Sequence, residues 1–193
     1  MGTALARYPA ARDVFAAVDA ALERPLSRLM ADGPEDELTL TRNAQPALMA
    51  VSIAAVRALE AELGRPFEAF ADVVAGHSLG EYTALTAAGT FDVATAARLL
   101  DLRGAAMQAA VPVGEGAMAA LMGLDVERVA RLLATIDGVA DIANDNADGQ
   151  VVVSGERAAV DAVVAAAGAA GARRVTVLPV SAPFHCRLMR PAA

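Results

Sequence analysis

The sequence has no lysine and no tryptophan, and all 16 of its basic residues are arginine. Without lysine there is no Schiff-base nucleophile and no phosphate-loop lysine, which excludes imine catalysis and P-loop nucleotide hydrolysis. Aromatic residues are 4% of the chain and the formal net charge is −7. Both argue against a base-stacking or phosphate-tracking surface, so no nucleic-acid partner is expected. A single cysteine, Cys186, excludes an internal disulfide and a cysteine-rich zinc site, and no metal is expected. No uncharged apolar run reaches the roughly 18 residues of a membrane span. The 49 alanines account for the apolar character instead. Residues 1–9 have no apolar segment of the secretory kind, so a cytoplasmic location away from membranes is expected. Histidine occurs only at His77 and His185, so any imidazole chemistry falls to one of these two.

What is present suits one domain, or a core domain with a small insert, in 193 residues. Val14, Phe15, Val18 and Leu22 recur at helical spacing and predict a helix over residues 10–22. Asp32-Gly33-Pro34 and the acidic run Glu35-Asp36-Glu37 predict a solvated turn. A core helix is predicted to open near Gln45-Pro46, with proline early, and to stop at Gly64. Asp72-Val73-Val74-Ala75-Gly76 reads as a buried parallel strand that turns directly into a helix over residues 81–88. Asp92 caps a further helix from Val93 to about Ala109. After residue 115 the pattern predicts strand 117–122, helix 126–136 and strand 139–143. A loop holding Asn144 and Asn146 follows, then strand 150–154, helix 157–170 and strand 174–180. That βαββαβ order is the ferredoxin-like arrangement. The expected fold class is therefore α/β. Residues 1–114 would form a large core, 115–178 an inserted small subdomain, and 179–193 the return to the core.

Gly76-His77-Ser78-Leu79-Gly80 carries the sharpest chemical signal. It matches G-x-S-x-G between a predicted strand and a predicted helix, the setting of a nucleophile turn. Such a turn lifts the Ser78 hydroxyl clear, and the Leu79 N–H at the helix start can face a developing oxyanion. An ordinary glycine-lined strand-to-helix turn is the alternative. Ser78 needs a general base. His77 is its immediate neighbour, and adjacent side chains diverge on such a turn, so His77 is assigned a supporting hydrogen-bonding role. His185, in the proline-containing loop Ser181-Ala182-Pro183-Phe184-His185, is the better base. No acidic residue stands out as the third member of a triad. Arg103 shares the apolar face of its helix with Leu99, Leu100 and Met107. A buried guanidinium needs an anion. Either an internal Asp or Glu supplies it, or a substrate carboxylate does. From the pattern alone the internal pair is favoured. A serine esterase or thioesterase, or an inert fragment, would share much of this pattern.

Several segments together resemble the malonyl-CoA:acyl-carrier-protein transacylase family and the acyltransferase domains of fatty acid and polyketide synthases. They are Gln45-Pro46-Ala47-Leu48, Gly76 to Tyr82, Leu102-Arg103-Gly104 with Met107, Gly116 to Ala120, Asn146 with Gln150 to Gly155, and Pro183-Phe184-His185. The resemblance implies an α/β-hydrolase-like core with a ferredoxin-like subdomain. It implies Ser78 as the nucleophile, His185 as general base, Leu79 N–H as an oxyanion donor and Arg103 as the holder of the malonyl carboxylate. It places Gln45 and Asn146 near the pocket. It also implies that Phe184 narrows the pocket against a branched acyl group. The substrates would be malonyl-CoA and acyl carrier protein, in bacterial fatty acid synthesis, with coenzyme A as carrier and no other cofactor. The family's opening segment of the form F-P-G-Q-G-S-Q, and its region beyond the His185 loop, have no counterpart here. The chain is therefore expected to be truncated at both ends, with an incomplete core, and to be aggregation-prone and nearly inactive by itself.

Overall fold

The computed structural model describes residues 1–193 and divides them into two compact units, 1–105 and 106–193. Unit 1 is helical. It contains α1 (Pro9–Leu22), α2 (Leu26–Asp32), α3 (Glu35–Thr39), α4 (Thr41–Leu63), α5 (Gly80–Ala87) and most of α6 (Val93–Ala110). Its core is built from Val14 and Val18 of α1, Leu26 of α2, Met49 and Ile53 of α4, and Leu100 of α6. Alanines fill the remaining contacts, among them Ala47, Ala50, Ala54, Ala96 and Ala97, all fully buried. Their small side chains let the helix backbones approach closely while keeping the best helix propensity.

Three expectations fail in this unit. Asp72–Ala75 does not form a strand; it is irregular, and Val73 is 84% exposed. A buried strand needs ladder partners for its N–H and C=O groups. No other strand lies within residues 1–105. Glu35–Glu37 is not a turn but the first turn of α3, where carboxylates are favoured by the helix dipole. The core helix opens at Thr41 rather than Gln45, so Pro46 lies inside it. Pro46 has no N–H for the Arg42 carbonyl. Arg24 Nη2 reaches that carbonyl instead, at 3.4 Å, which explains how the extra turn is tolerated.

Charge also fastens the start of α4 to α6. Asp101 accepts from Arg42 Nε at 3.0 Å and Nη2 at 3.2 Å, and from Arg24 Nη2 at 2.6 Å. Arg24 Nη1 also donates to Asn43 Oδ1. Burial pushes the Asp101 carboxyl up, but the hydrogen bonds and charges of Arg42 and Arg24 outweigh it and hold the carboxyl below its ordinary value. A depressed carboxylate contributes stability that is fully present above the unfolded value, near pH 4, and is lost as pH falls through the lower folded value. Asp101→Asn is expected to lower stability at pH 7 by about 1–2 kcal/mol. The gap to the parent should narrow below about pH 4. Urea melts at pH 7 and pH 3 check this; an equal gap at both values would show that the charge does not contribute.

Unit 2 contains the end of α6 and one four-stranded antiparallel sheet. Its elements are β1 (Gly116–Met122), α7 (Val126–Leu133), β2 (Ala140–Ala147), β3 (Gln150–Glu156), α8 (Arg157–Ala167) and β4 (Arg174–Val177), in sheet order β2-β3-β1-β4. Ala117, Ala119 and Leu121 alternate along β1 and join Val151 and Val153 of β3 in the core with Val129 and Leu132 of α7 and Val160 and Val163 of α8. The register pairs Ala119 with Val153 and Leu121 with Val151 on the core face. Asp125 caps α7, accepting from the Arg128 N–H at 2.8 Å. Asn144 and Asn146, expected in a loop, lie in β2. The ladder there tolerates them through register irregularities between Ile142 and Asn144 and between Asp145 and Ala147. No helix in the chain is long and apolar enough to cross a membrane.

Candidate active site

The turn before α5 is shaped by its own hydrogen bonds. Gly80 N donates to His77 O at 2.8 Å and Glu81 N to Ser78 O at 3.1 Å. This closure puts Ser78 at φ +55, a left-handed conformation that costs a non-glycine residue roughly 1–2 kcal/mol. Strain of this kind at a single hydroxyl residue points to function. Gly76 makes the turn possible: a Cβ there would lie 1.9 Å from the Gly80 carbonyl oxygen. A Cβ on Gly80 would meet nothing within 4 Å, so the first motif glycine is sterically required and the second is not. Leu79 directly precedes the first residue of α5, so its peptide sits at the positive end of that helix.

Arg103 comes to this turn from α6. Its Nη2 donates to Ser78 Oγ at 3.1 Å and its Nη1 to Gln45 Oε1 at 2.5 Å. Gln45 is 3% exposed, and its Nε2 donates to Thr41 Oγ1 at 2.8 Å. The guanidinium carbon stands 5.9 Å from the Tyr82 ring centroid, within the range of cation–π attraction. Arg103 takes part in none of the chain's six ion pairs. The internal acidic partner favoured from the pattern is thus not there, because Asp101, two residues away, is engaged by Arg42 and Arg24. A guanidinium held by neutral oxygens keeps its charge for an incoming anion. Gly104 fixes the approach of α6: a Cβ there would fall 2.6 Å from the Arg42 Cα.

Unit 1 therefore brings together Ser78, Leu79, Arg103 and Gln45. The sequence reading missed Thr41 and gave Tyr82 no role; their spacing, four residues before Gln45 and four after Ser78, was the available signal. His77 is exposed and lines an apolar groove with Leu48, Ser52, Val56 and Val73. In unit 2, Phe184 is half-buried and His185 is exposed at φ +59, the second strained residue of the predicted site. Asn146 is exposed in the irregular part of β2. No group of three or more His, Cys, Asp or Glu is arranged to hold a metal ion.

Comparison with known proteins places this geometry. The malonyl CoA-acyl carrier protein transacylase of Escherichia coli K12 is 46% identical over 190 residues, 97% of this chain and 60% of that protein. The acyl-carrier-protein-S-malonyltransferase structure from Bartonella henselae superposes with a TM-score of 0.91 at 55% identity, covering all of this chain and 62% of the other. A type II polyketide synthase acyl carrier protein in complex with its malonyl-transacylase gives a TM-score of 0.86 at 42% identity, over 97% of this chain and 60% of that one. The chain spans about 60% of the length of these relatives. The acyl transferase domain profile matches residues 1–193. A match that runs from the first residue to the last leaves one conclusion: the chain belongs to the acyl transferase domain family.

Proposed function

We propose that this chain carries the chemistry of malonyl transfer from coenzyme A to the phosphopantetheine thiol of an acyl carrier protein, in bacterial fatty acid synthesis. One observation carries the reading. A strained serine at a helix N-terminus is hydrogen-bonded by an arginine that has no acidic partner. A simple esterase has no use for that cation, whereas a carboxylate-bearing acyl group does. The names of the relatives agree with it, and one of them was solved with its carrier protein bound.

In the proposed first half-reaction Ser78 Oγ gives its proton to His185 and bonds to the thioester carbon. The Leu79 N–H stabilises the oxyanion. The carbon–sulfur bond then breaks, and the proton passes from His185 to the leaving coenzyme A sulfur. In the second, the carrier-protein thiol loses its proton to His185 and attacks the ester carbon. The ester carbon–oxygen bond breaks and Ser78 recovers its proton. Arg103 holds the malonyl carboxylate by two parallel hydrogen bonds. Gln45 positions Arg103, and His77 is a supporting hydrogen-bonding residue beside Ser78. Phe184 opposes branched acyl groups by steric exclusion. No metal or redox cofactor is needed, and a cytoplasmic location is proposed.

The finer architecture belongs to the same proposal. Residues 1–114 would be an α/β-hydrolase-like core, 115–178 a ferredoxin-like insert, and 179–193 the return bearing His185. The observed strand order and element order of unit 2 support the ferredoxin-like reading. The function is tested by mixing the chain, beside a version extended to the length of its relatives, with malonyl-CoA and holo carrier protein and following malonyl on the carrier by mass spectrometry. Hydrolysis of p-nitrophenyl esters without transfer would support a hydrolase and overturn the reading.

A further inference from the structure

His185 is strained and exposed, and it lies in a stretch that has left the sheet, so something must hold its backbone. Before it, Leu178 N donates to Met118 O at 2.9 Å and Gln108 Nε2 to Ser181 O at 3.2 Å. The Pro183 ring lies against Gly116, where a Cβ would fall 2.3 Å from Pro183 Cδ. After it, Cys186 Sγ–H donates to Pro183 O at 3.1 Å, and a side chain of β2 ties down the main chain. Asp141 of β2 accepts the Arg187 backbone N–H at 2.8 Å through Oδ2. The same carboxylate takes Arg187 Nε at 3.0 Å and Nη2 at 2.5 Å. The hydrogen bond from Arg187 holds the Asp141 carboxyl below its ordinary value, so the clamp stays ionised at neutral pH.

We infer that Asp141 is a positioning residue for His185: it fixes the chain two residues beyond the imidazole and so sets where the ring points. The Arg187 side chain is 62% exposed, and an exposed ion pair alone contributes little. The backbone hydrogen bond is the part that constrains the loop, because it restricts the main chain itself. This orders the variants. Asp141→Ala removes both contacts. Arg187→Ala removes the ion pair and keeps the backbone bond. Asp141→Asn keeps an oxygen acceptor for the backbone N–H.

The kinetic half of the test rests on the proposed acyl transfer; the spectroscopic half does not. With only two histidines, the ring Cε1–H signals of His77 and His185 are separable by NMR. Asp141→Ala is expected to shift or broaden the His185 signal and leave His77 unchanged. Arg187→Ala and Asp141→Asn should produce smaller changes. In malonyl transfer, Asp141→Ala should lower kcat about 10-fold, with KM for malonyl-CoA within about twofold. Asp141→Asn should recover part of the loss. A His185 signal identical in Asp141→Ala and the parent overturns the inference, as does a shifted signal with kcat unchanged. The kinetic arm uses the chain extended to the length of its relatives; if that protein transfers no malonyl group, the acyl-transfer reading fails and the ring signals alone decide the positioning role. If Asp141→Ala does not fold, Arg187→Pro decides: proline fits at the first residue of the turn over Arg187–Ala192 and removes the backbone N–H that Asp141 accepts, and an unmoved His185 signal there overturns the inference.

Discussion

Ser78→Ala, in the chain extended to the length of its relatives, is expected to abolish formation of a malonyl adduct and to lower transfer by roughly 10⁴-fold or more. The size follows from the proposed chemistry, in which this hydroxyl takes the acyl group as an ester. Folding should survive. The turn is closed by backbone hydrogen bonds from Gly80 to His77 and from Glu81 to Ser78, none of which uses the hydroxyl. Alanine at φ +55 meets about the same backbone strain that serine already bears. Arg103 loses one acceptor but keeps Gln45. Mass spectrometry after exposure to malonyl-CoA is the measurement, with circular dichroism to confirm the fold. A retained adduct on the variant would sink the nucleophile assignment.

Arg103→Ala should separate acyl groups rather than stop the chemistry. Only malonyl presents a carboxylate, so malonyl transfer should fall while acetyl transfer changes little. A charge-assisted, forked contact shielded from water contributes about 2–4 kcal/mol, or roughly 30- to 1,000-fold. Arg103→Lys should recover only part of this, because an ammonium cannot form two parallel bonds to a planar carboxylate. The ratio of malonyl to acetyl kcat/KM reads the effect. Equal losses for both groups would mean that Arg103 merely ties α6 to Gln45 and the Ser78 turn.

The local features were legible in the sequence because their causes are local. Helical spacing of Val14, Val18 and Leu22 and the valine run of β3 each depend on neighbours within a few residues. The same holds for the turn at Ser78, whose small residues and following helix lie in one short segment. Strand formation at Asp72–Gly76 was not decided there. An apolar run has strand propensity, but its ladder needs partners that residues 1–105 do not contain. Nor could the sequence decide the charge partners. Asp101 and Arg103 sit two positions apart, and which of them answers Arg24 or Gln45 depends on how α6 lies on α4. The contact from Arg103 to Gln45 spans 58 positions, and that from Arg187 to Asp141 spans 46. Residue type at His185 and Ser78 pointed to the proposed chemistry. The arginine without an acid and the carboxylate that clamps the His185 loop arise only when distant segments pack, because hydrogen bonds and ion pairs act over a few ångströms of space whatever the distance along the chain.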